Sequence, residues 1–368
     1  MKYSSKNIKQ QKKVAFVQTT HLATDERVYF HQREALIAAG CEVLVVSTYL
    51  DTTQMSNNEK MKKIGEELTL FSPDVVICDT PLAVFAAKKV RSSIGSYRII
   101  YDITEWYPSD QHLRGLSLLK KWVKASLLYA ANLYAGLFSD GFVFGEYYKS
   151  LRFRRLFFWK RHIFTTYYPD LSYFSQVQTK TDFSAWKFLY SGVLSERKGY
   201  GRVLSAVKQI AQRHPEKSFV LKVIGNLKDV SLEESALPNL KYEFLDYMPF
   251  RSFCEAIADG DIFLDLRVVR KQEYKSLPIK LFYYMVVGGV SVYTDMRGIR
   301  KGVPDHADFM TLVDPHKEDL VVLAIERYVT DEAFYLQQSK NGCLAVHEKY
   351  NWDRIKGEFV QFIKYEKE

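Results

Sequence analysis

The sequence predicts an α/β chain of two Rossmann-like, doubly wound parallel-sheet domains facing a cleft, and three observations carry that prediction. At 368 residues the chain outruns the ~100–200 residues of a single domain. Short β-branched or aromatic runs alternate with helix-like stretches, and the runs are continuously apolar, as in strands buried on both faces of a parallel sheet. The alternation halts once, midway, and then restarts.

The first series of runs is VAFV (14–17), VLVVS (43–47), DVVIC (74–78), RIIYD (98–102) and GFVF (141–144), which assigns residues 1–168 to an N-terminal domain. Residues 169–186 lack periodicity and carry Pro, Asp, Ser and Thr, the composition of a linker. The second series fills a C-terminal domain over 187–350: KFLYSG (187–192), FVLKVIG (219–225), KYEFLD (241–246), IFLDL (262–266), VSVYT (290–294) and MTLVD (310–314). Residues 351–368 read as an amphipathic helix with Trp352, Ile355, Phe359 and Phe362 on one face, expected to cross back to the first domain. In open sheets of this kind ligands bind beyond the carboxyl ends of the strands, so the turns leaving the strands are where chemistry is expected.

Composition narrows the function. Apolar residues at 47% and charged residues at 26% belong to a folded globular chain rather than a disordered one. Cys41, Cys78, Cys254 and Cys343 form no CxxC pair or Cys/His cluster, which argues against structural zinc and a disulfide framework and fits a reducing cytoplasm. The polar, basic N-terminal residues precede too short an apolar run for a signal peptide. The greasiest stretch, ASLLYAANLYAGLF (125–138), is broken by Asn132 and falls short of the ~20 residues that cross a bilayer, so it reads as a buried or interfacial helix. A net charge of +9 points to an anionic partner: a nucleic acid, a phosphorylated small molecule or an anionic membrane surface.

The chain lacks GxxxxGK[ST], HExxH and GxSxG, and no GxGxxG follows its first strand, which disfavours a P-loop NTPase, a zincin, a serine hydrolase and a dinucleotide oxidoreductase. In YSGVLSERKGYGR a strand ends near Gly192, a turn carries Arg197 and Lys198, and Gly199 precedes a helix. Glycines admit close backbone approach and a helix start favours an anion, so Lys198 reads either as a phosphate contact or as a solvated loop lysine. In SLPIKLFYYMVVGG, Pro278 sets the start of a helix with Lys280 in its first turn. A cation there opposes the helix dipole, so a bound anion is its compensating partner, or Lys280 is a surface lysine. Asp102 and Glu105, three apart after a strand in YDITEWYP, suit acid/base work, or Asp102 caps the turn. DGDIF (259–263) mimics a metal-binding Asp-x-Asp but leads into a strand from the end away from the cleft, and reads as a polar link. The stretch YYKSLRFRRLFFWKRHIF (147–164) interleaves cations with aromatics, among them Arg152, Arg154, Arg155, Phe157, Phe158, Trp159 and Lys160. That pattern fits an anionic lipid surface, a nucleic acid, or a helix whose aromatics face the core.

Taken in order, these segments resemble the nucleotide-sugar-dependent glycosyltransferases of the GT-B fold, in particular those like glycosyltransferase family 4. The resemblance rests on TDERVYFHQREALIAAGCEVLVV and YDITEWYP in the N-terminal half, and on YSGVLSERKGYGRVLSAV, VIGN, PIKLFYYMVVGG and YNW in the C-terminal half. It implies acceptor binding after the first strand by Thr20, His21, Asp25 and Arg27, although Asp25 also reads as a helix N-cap. It implies donor binding by Gly192, Arg197, Lys198, Gly225, Asn226, Lys280 and Tyr283, with Lys198 and Lys280 neutralising the leaving diphosphate. The implied reaction is retaining, hexosyltransferase-like and metal-independent, with the nucleotide sugar as substrate and no cofactor. The implied setting is cytoplasmic and peripheral at the inner face of a membrane, with a glycan or lipid-linked acceptor of polysaccharide or glycolipid synthesis and no nucleic acid.

Four positions depart from the family pattern. Val193 stands where the family has Arg, Thr104 where it has His, and Lys275 and Tyr283 where it has two glutamates. A Tyr hydroxyl offers the donor ribose one oxygen in place of two, or Tyr283 is core. Two other readings stay open: a sugar-nucleotide epimerase of the same architecture, and a non-catalytic homologue acting as a partner or membrane-binding subunit.

Overall fold

The computed structural model describes residues 11–49, 55–110, 112–175, 179–226, 235–270 and 272–365. The chain divides into two compact units, one of residues 1–167 with 355–368 and one of residues 168–354.

The first unit holds a six-stranded, all-parallel sheet of β1 (Lys13–Gln18), β2 (Glu42–Ser47), β3 (Val75–Cys78), β4 (Arg98–Ile103), β5 (Gly141–Phe144) and β6 (Arg161–Phe164), in the order β2-β1-β3-β4-β5-β6. Its helices are α1 (Glu34–Ala38), α2 (Asn57–Phe71), α3 (Pro81–Ile94), α4 (Leu118–Phe138) and α5 (Tyr147–Leu156). The central strands are buried throughout, and that is why they read as unbroken apolar runs. Strand β6 has no such signature, because RHIF lies at the sheet edge with Arg161 and His162 exposed.

The second unit repeats the plan with β7 (Ala185–Ser191), β8 (Ser218–Ile224), β9 (Leu240–Leu245), β10 (Ile262–Asp265), β11 (Val290–Thr294) and β12 (Met310–Val313), in the order β12-β11-β10-β7-β8-β9, again all parallel. Helices α6 (Tyr200–Arg213), α7 (Phe250–Ala256), α8 (Lys280–Val286), α9 (Arg297–Gly302), α10 (Glu318–Thr330) and α11 (Glu332–Glu348) belong to it. Tyr168, Leu171 and Phe174, from the stretch that reads as linker, pack on the core around α8. The DGDIF carboxylates are engaged at the amino end of β10: Asp259 pairs with Lys187 and Lys222, and Asp261 with Lys180.

The last helix, α12 (Asp353–Lys364), belongs to the first unit and buries Phe359, Phe362 and Ile363. Arg98 at the start of β4 donates to the Ile363 and Phe362 carbonyls at 3.0 and 3.4 Å, which satisfies the exposed end of the helix ladder. Trp352 does not join that face; its backbone N–H donates to the Pro169 carbonyl at 2.8 Å within the second unit.

In each sheet the direction of strand progression reverses once, between β1 and β3 in the first unit and between β7 and β10 in the second. Diverging connections open a crevice at such a point, so the carboxyl ends of these four strands are the places topology reserves for ligands.

Candidate functional site

At the β7/β10 switch point the chain leaves Ser191, turns through 192–195 and makes one short helical turn over Glu196–Lys198, capped by Ser195 Oγ accepting from the Lys198 N–H. Gly199 then takes φ +84° at the start of α6. A Cβ there would stand 2.3 Å from the Leu266 carbonyl, so only glycine lets the start of α6 press against the end of β10. The Val268 N–H donates to the Arg197 carbonyl at 3.0 Å and fixes the two loops together.

Four cations gather around these strand ends. Arg197 pairs with Glu273 at 2.6 Å, and Lys198 Nζ stands 3.4 Å from the same Glu273 oxygen. Arg267, two residues beyond Asp265, donates from Nε to the Asp265 carboxylate at 2.7 Å. Lys280 Nζ donates to Ser191 Oγ at 2.9 Å, and that hydroxyl also shares a 2.7 Å hydrogen bond with Tyr284. Among the described residues two carboxylates, Asp265 and Glu273, pair with Arg267 and with Arg197 and Lys198, a concentration of positive charge at a strand end that suits an anion. Burial lowers the Lys198 pKa and the Arg267 charge lowers it further, Glu273 opposing; an arriving anion relieves that strain.

Asp265, Arg267, Glu273, Ser191 and Tyr284 escaped the sequence reading. The signal was available for two of them, since Asp265 and Arg267 lie at the end of the IFLDL run, where the strand-end rule directs attention. Tyr283 is corrected: it is 2% exposed and packs against Phe174, Phe250 and Phe253, with ring centroids at 5.6–6.4 Å. One residue makes the difference, because on the short helix α8 neighbours 283 and 284 point about 100° apart. Tyr284 takes the polar side, its ring stacked on Phe263 at 4.0 Å and its hydroxyl on Ser191. Gly225 is buried where a Cβ would meet the Gly192 carbonyl at 2.2 Å, and Asn226 beyond it is exposed.

At the β1/β3 switch point Asp79 organises the turn after β1. Its carboxylate accepts from the Thr19 N–H at 2.9 Å, the Thr20 N–H at 3.3 Å, Thr20 Oγ at 3.1 Å and His21 Nδ1 at 3.4 Å. Burial alone would lower the His21 pKa, but the hydrogen bond to Asp79 and the charges of Asp25 and Asp79 together raise it above 6.5. A His raised on folding adds stability that is full below the unfolded pKa and is lost as pH rises through the folded one. The His21 imidazole is therefore expected to titrate above 6.5, and lower in Asp79→Asn, followed by its NMR shifts. A midpoint unmoved by that substitution would refute the pairing.

Asp25 caps the wide π-helical turn Glu26–Arg33, accepting from the Val28 N–H. That turn aims Arg27 at Asp102, 2.5 Å away, with the guanidinium over the Tyr167 ring at 5.1 Å. Asp102 is thus corrected from an acid/base partner of Glu105 to half of a buried ion pair, while Glu105 is exposed. Burial raises the Asp102 pKa and Arg27 opposes it; Arg27 in turn is held protonated by Asp102 against its own burial. Around this pair, Gln18 Oε1, Asp102 Oδ1, Thr104 Oγ1 and Thr165 Oγ1 are buried without protein hydrogen-bond partners. They sit on the carboxyl ends of β1, β4 and β6 or just beyond, a concentration of unanswered polar groups that a hydroxyl-rich ligand or water can satisfy.

The basic aromatic stretch separates into parts. Phe157 lies in the core of the first unit, and Lys160 donates to the carbonyls of Gly136, Leu137 and Ser139, closing the end of α4. Arg152 donates to the Tyr107 carbonyl at 2.9 Å and lies over Tyr129, and Arg154 lies over Phe164. Arg155, Phe158 and Trp159 are exposed. Of the residues expected at a membrane surface, Phe157 and Lys160 are set by packing and helix capping, and Arg154, Arg155, Phe158 and Trp159 remain exposed.

Residues 185–331 match a family model described as Glycosyl transferases group 1. No curated protein matches the chain. Among solved structures, sucrose-phosphate synthase from Thermosynechococcus elongatus is similar over 96% of this chain and 98% of its own, with TM-score 0.70 and 14% identity. Anabaena Alr3699/HepE in complex with UDP-glucose is similar over 95% and 98%, with TM-score 0.64 and 13% identity. The UDP-GlcNAc 2-epimerase from Neisseria meningitidis is similar over 95% and 99%, with TM-score 0.56 and 13% identity. These likenesses show a shared two-domain fold across nearly the whole chain.

Proposed function

We propose, from the premise that this chain resembles the GT-B glycosyltransferases in fold throughout and the group 1 glycosyl transferases in sequence over residues 185–331, that it transfers a sugar from a nucleotide sugar to a glycan or lipid-linked acceptor. The observation that carries the reading is the cation cluster of Arg197, Lys198, Arg267 and Lys280 at the β7/β10 switch point. Glycosyl transfer leaves a nucleoside diphosphate, whose charge develops as the glycosidic bond breaks. Fixed cations in a partly desolvated site stabilise that charge without reorganising. Arg267 supplies the guanidinium that the chain lacks at Val193, and its pairing with Asp265 holds it in place. Lys280 and Tyr284 meet on Ser191, so the strand end and α8 act as one platform for the donor.

The acceptor reading assigns the first unit's switch point, with Thr20, His21 and Asp79 at its mouth, to a hydroxylated substrate. Anomeric retention, with a donor phosphate oxygen taking the acceptor proton, and work at the inner face of a membrane in surface polysaccharide or glycolipid synthesis complete the proposal. An epimerase acting on the nucleotide sugar alone is the second reading, favoured by the fold shared with the Neisseria enzyme.

Calorimetry with UDP, GDP and ADP and their common sugar conjugates tests the proposal. Saturable binding of one nucleotide series is expected. Absence of binding by the folded chain would overturn it in favour of a non-catalytic role, and conversion of a nucleotide sugar without acceptor would replace transfer by epimerisation.

A further inference from the structure

Helix α4 is the most exposed apolar element of the described residues. Leu118 is 86% exposed, Leu119 77%, Trp122 77%, Val123 52% and Leu127 65%. Positions 119, 122, 123 and 127 recur at helical spacing and share one face. Lys120 and Lys124 are exposed along the flank of that face, and Lys121 is exposed on the opposite side of the helix. From His112 to Phe138 the sequence has Arg114 and these three lysines and no Asp or Glu.

The helix is anchored only in its second half. Asn132, Ala135 and Gly136 are buried there, Phe153 and Phe157 close over Gly136, and Lys160 caps the end. Its first turns, 118–124, are exposed on every side, so roughly 15 Å of helix over 118–127 carries an apolar face that its own unit leaves uncovered. A soluble monomer seldom leaves a patch of this kind without a use.

We propose that the first half of α4 is a membrane-docking element, which seats Leu119, Trp122, Val123 and Leu127 among the acyl chains of an anionic bilayer while Lys120 and Lys124 on its flank meet the phosphate headgroups. Charge decides the occupant. In a symmetric contact between two copies the four flanking lysines of two helices would approach one another without a compensating carboxylate on either helix segment, whereas an anionic lipid surface answers each of them. The composition, Trp and Leu on one face with Lys beside it, is that of helices lying in the interface plane. No helix of the described residues is long and apolar enough to cross a membrane, so attachment here is by surface insertion. This inference rests on the peripheral-membrane part of the proposed function and relocates the contact from the 147–164 stretch to α4.

Co-sedimentation of the full chain with vesicles of phosphatidylcholine containing phosphatidylglycerol, against phosphatidylcholine alone, tests it. The chain is expected to bind the anionic vesicles preferentially. Lys120→Gln and Lys124→Gln are each expected to weaken binding about fivefold, and Lys121→Gln, on the far side of the helix, less. Leu119→Ser with Val123→Ser should abolish insertion, read as loss of the protection that anionic vesicles give Trp122 against an aqueous quencher. All five positions are exposed, so circular dichroism and nucleotide binding should stay unchanged in every variant. Anionic-vesicle binding that survives all these substitutions would overturn the role of α4 and leave the peripheral reading standing. No vesicle binding by the unsubstituted chain would overturn both, and a dimer that these substitutions dissociate would overturn the role of α4. Nucleotide binding in the same samples reports the donor site independently.

Discussion

Lys198→Ala is expected to weaken nucleoside-diphosphate binding roughly 10- to 150-fold, the loss of one charge-assisted contact of about 1.5–3 kcal/mol. Its turnover should fall further than its binding, because the diphosphate carries more charge as it leaves than in the bound donor. Stability should hold. Glu273 keeps its shorter pairing with Arg197 at 2.6 Å, and removing Lys198 relieves its repulsion with Arg267. The lysine's stem is only partly buried, so little packing is lost. Binding affinity by calorimetry, with melting temperature as the control for folding, separates the two effects. Undiminished binding would remove the cluster from the donor site. Arg267→Met should act on the same diphosphate, and the pair is expected to be non-additive, since the two cations face one another.

Arg27→Met is expected to cost the first unit about 3–5 kcal/mol, because it strands the Asp102 carboxylate in a buried site. For a unit of this size that corresponds to a melting temperature lower by roughly 6–20 °C. The pH dependence gives the test its direction. Burial already raises Asp102 above 3.8, and without Arg27 the rise is larger. A carboxyl whose folded pKa exceeds its unfolded value binds protons more readily in the native state, so stability falls as pH rises through that interval. The deficit of Arg27→Met should therefore shrink on acidification, and Asp102→Asn in the same background should recover part of it at neutral pH. Thermal melts across pH check this. A deficit independent of pH would mean that the loss comes from the packing of Arg27 on Tyr167.

Sequence and structure agree where local chemistry is sufficient. The continuous runs VAFV, VVIC and GFVF are strands because both faces of a parallel sheet are covered, and no solvated face leaves an alternating pattern. Pro278 and Lys280 bound α8, and Asp25 caps its turn, because helix starts are set by residues within one turn of each other. Lys198 and Lys280 were legible as cations placed for an anion for the same reason: each stands beside a strand end or helix start visible in the chain.

What the tertiary structure decided lies between residues far apart in sequence. Arg267 became a neighbour of Lys198 because β10 pairs with β7 across the reversal of strand order, and Asp79 became the acceptor for His21 because β3 lies beside β1. The carboxylate that faces Lys198 is Glu273, two residues before the Lys275 position at which the resemblance expects one. Asp102 was readable as a strand-end carboxylate, but only the approach of Arg27 turned it into a buried pair. Tyr283 and Tyr284 are equivalent by local propensity, and the packing of α8 alone sends one ring to the core and the other to Ser191. Likewise the stretch in α4 reads as a buried or interfacial helix, and the exposure of its first turns follows from which turns α3 and α5 cover. By itself the sequence determined every strand but the edge strand β6, the helix starts and the cations available to an anion. Strand order and burial, which depend on contacts summed over the whole chain, determined which of those charges are paired, which are buried and which remain to meet a ligand.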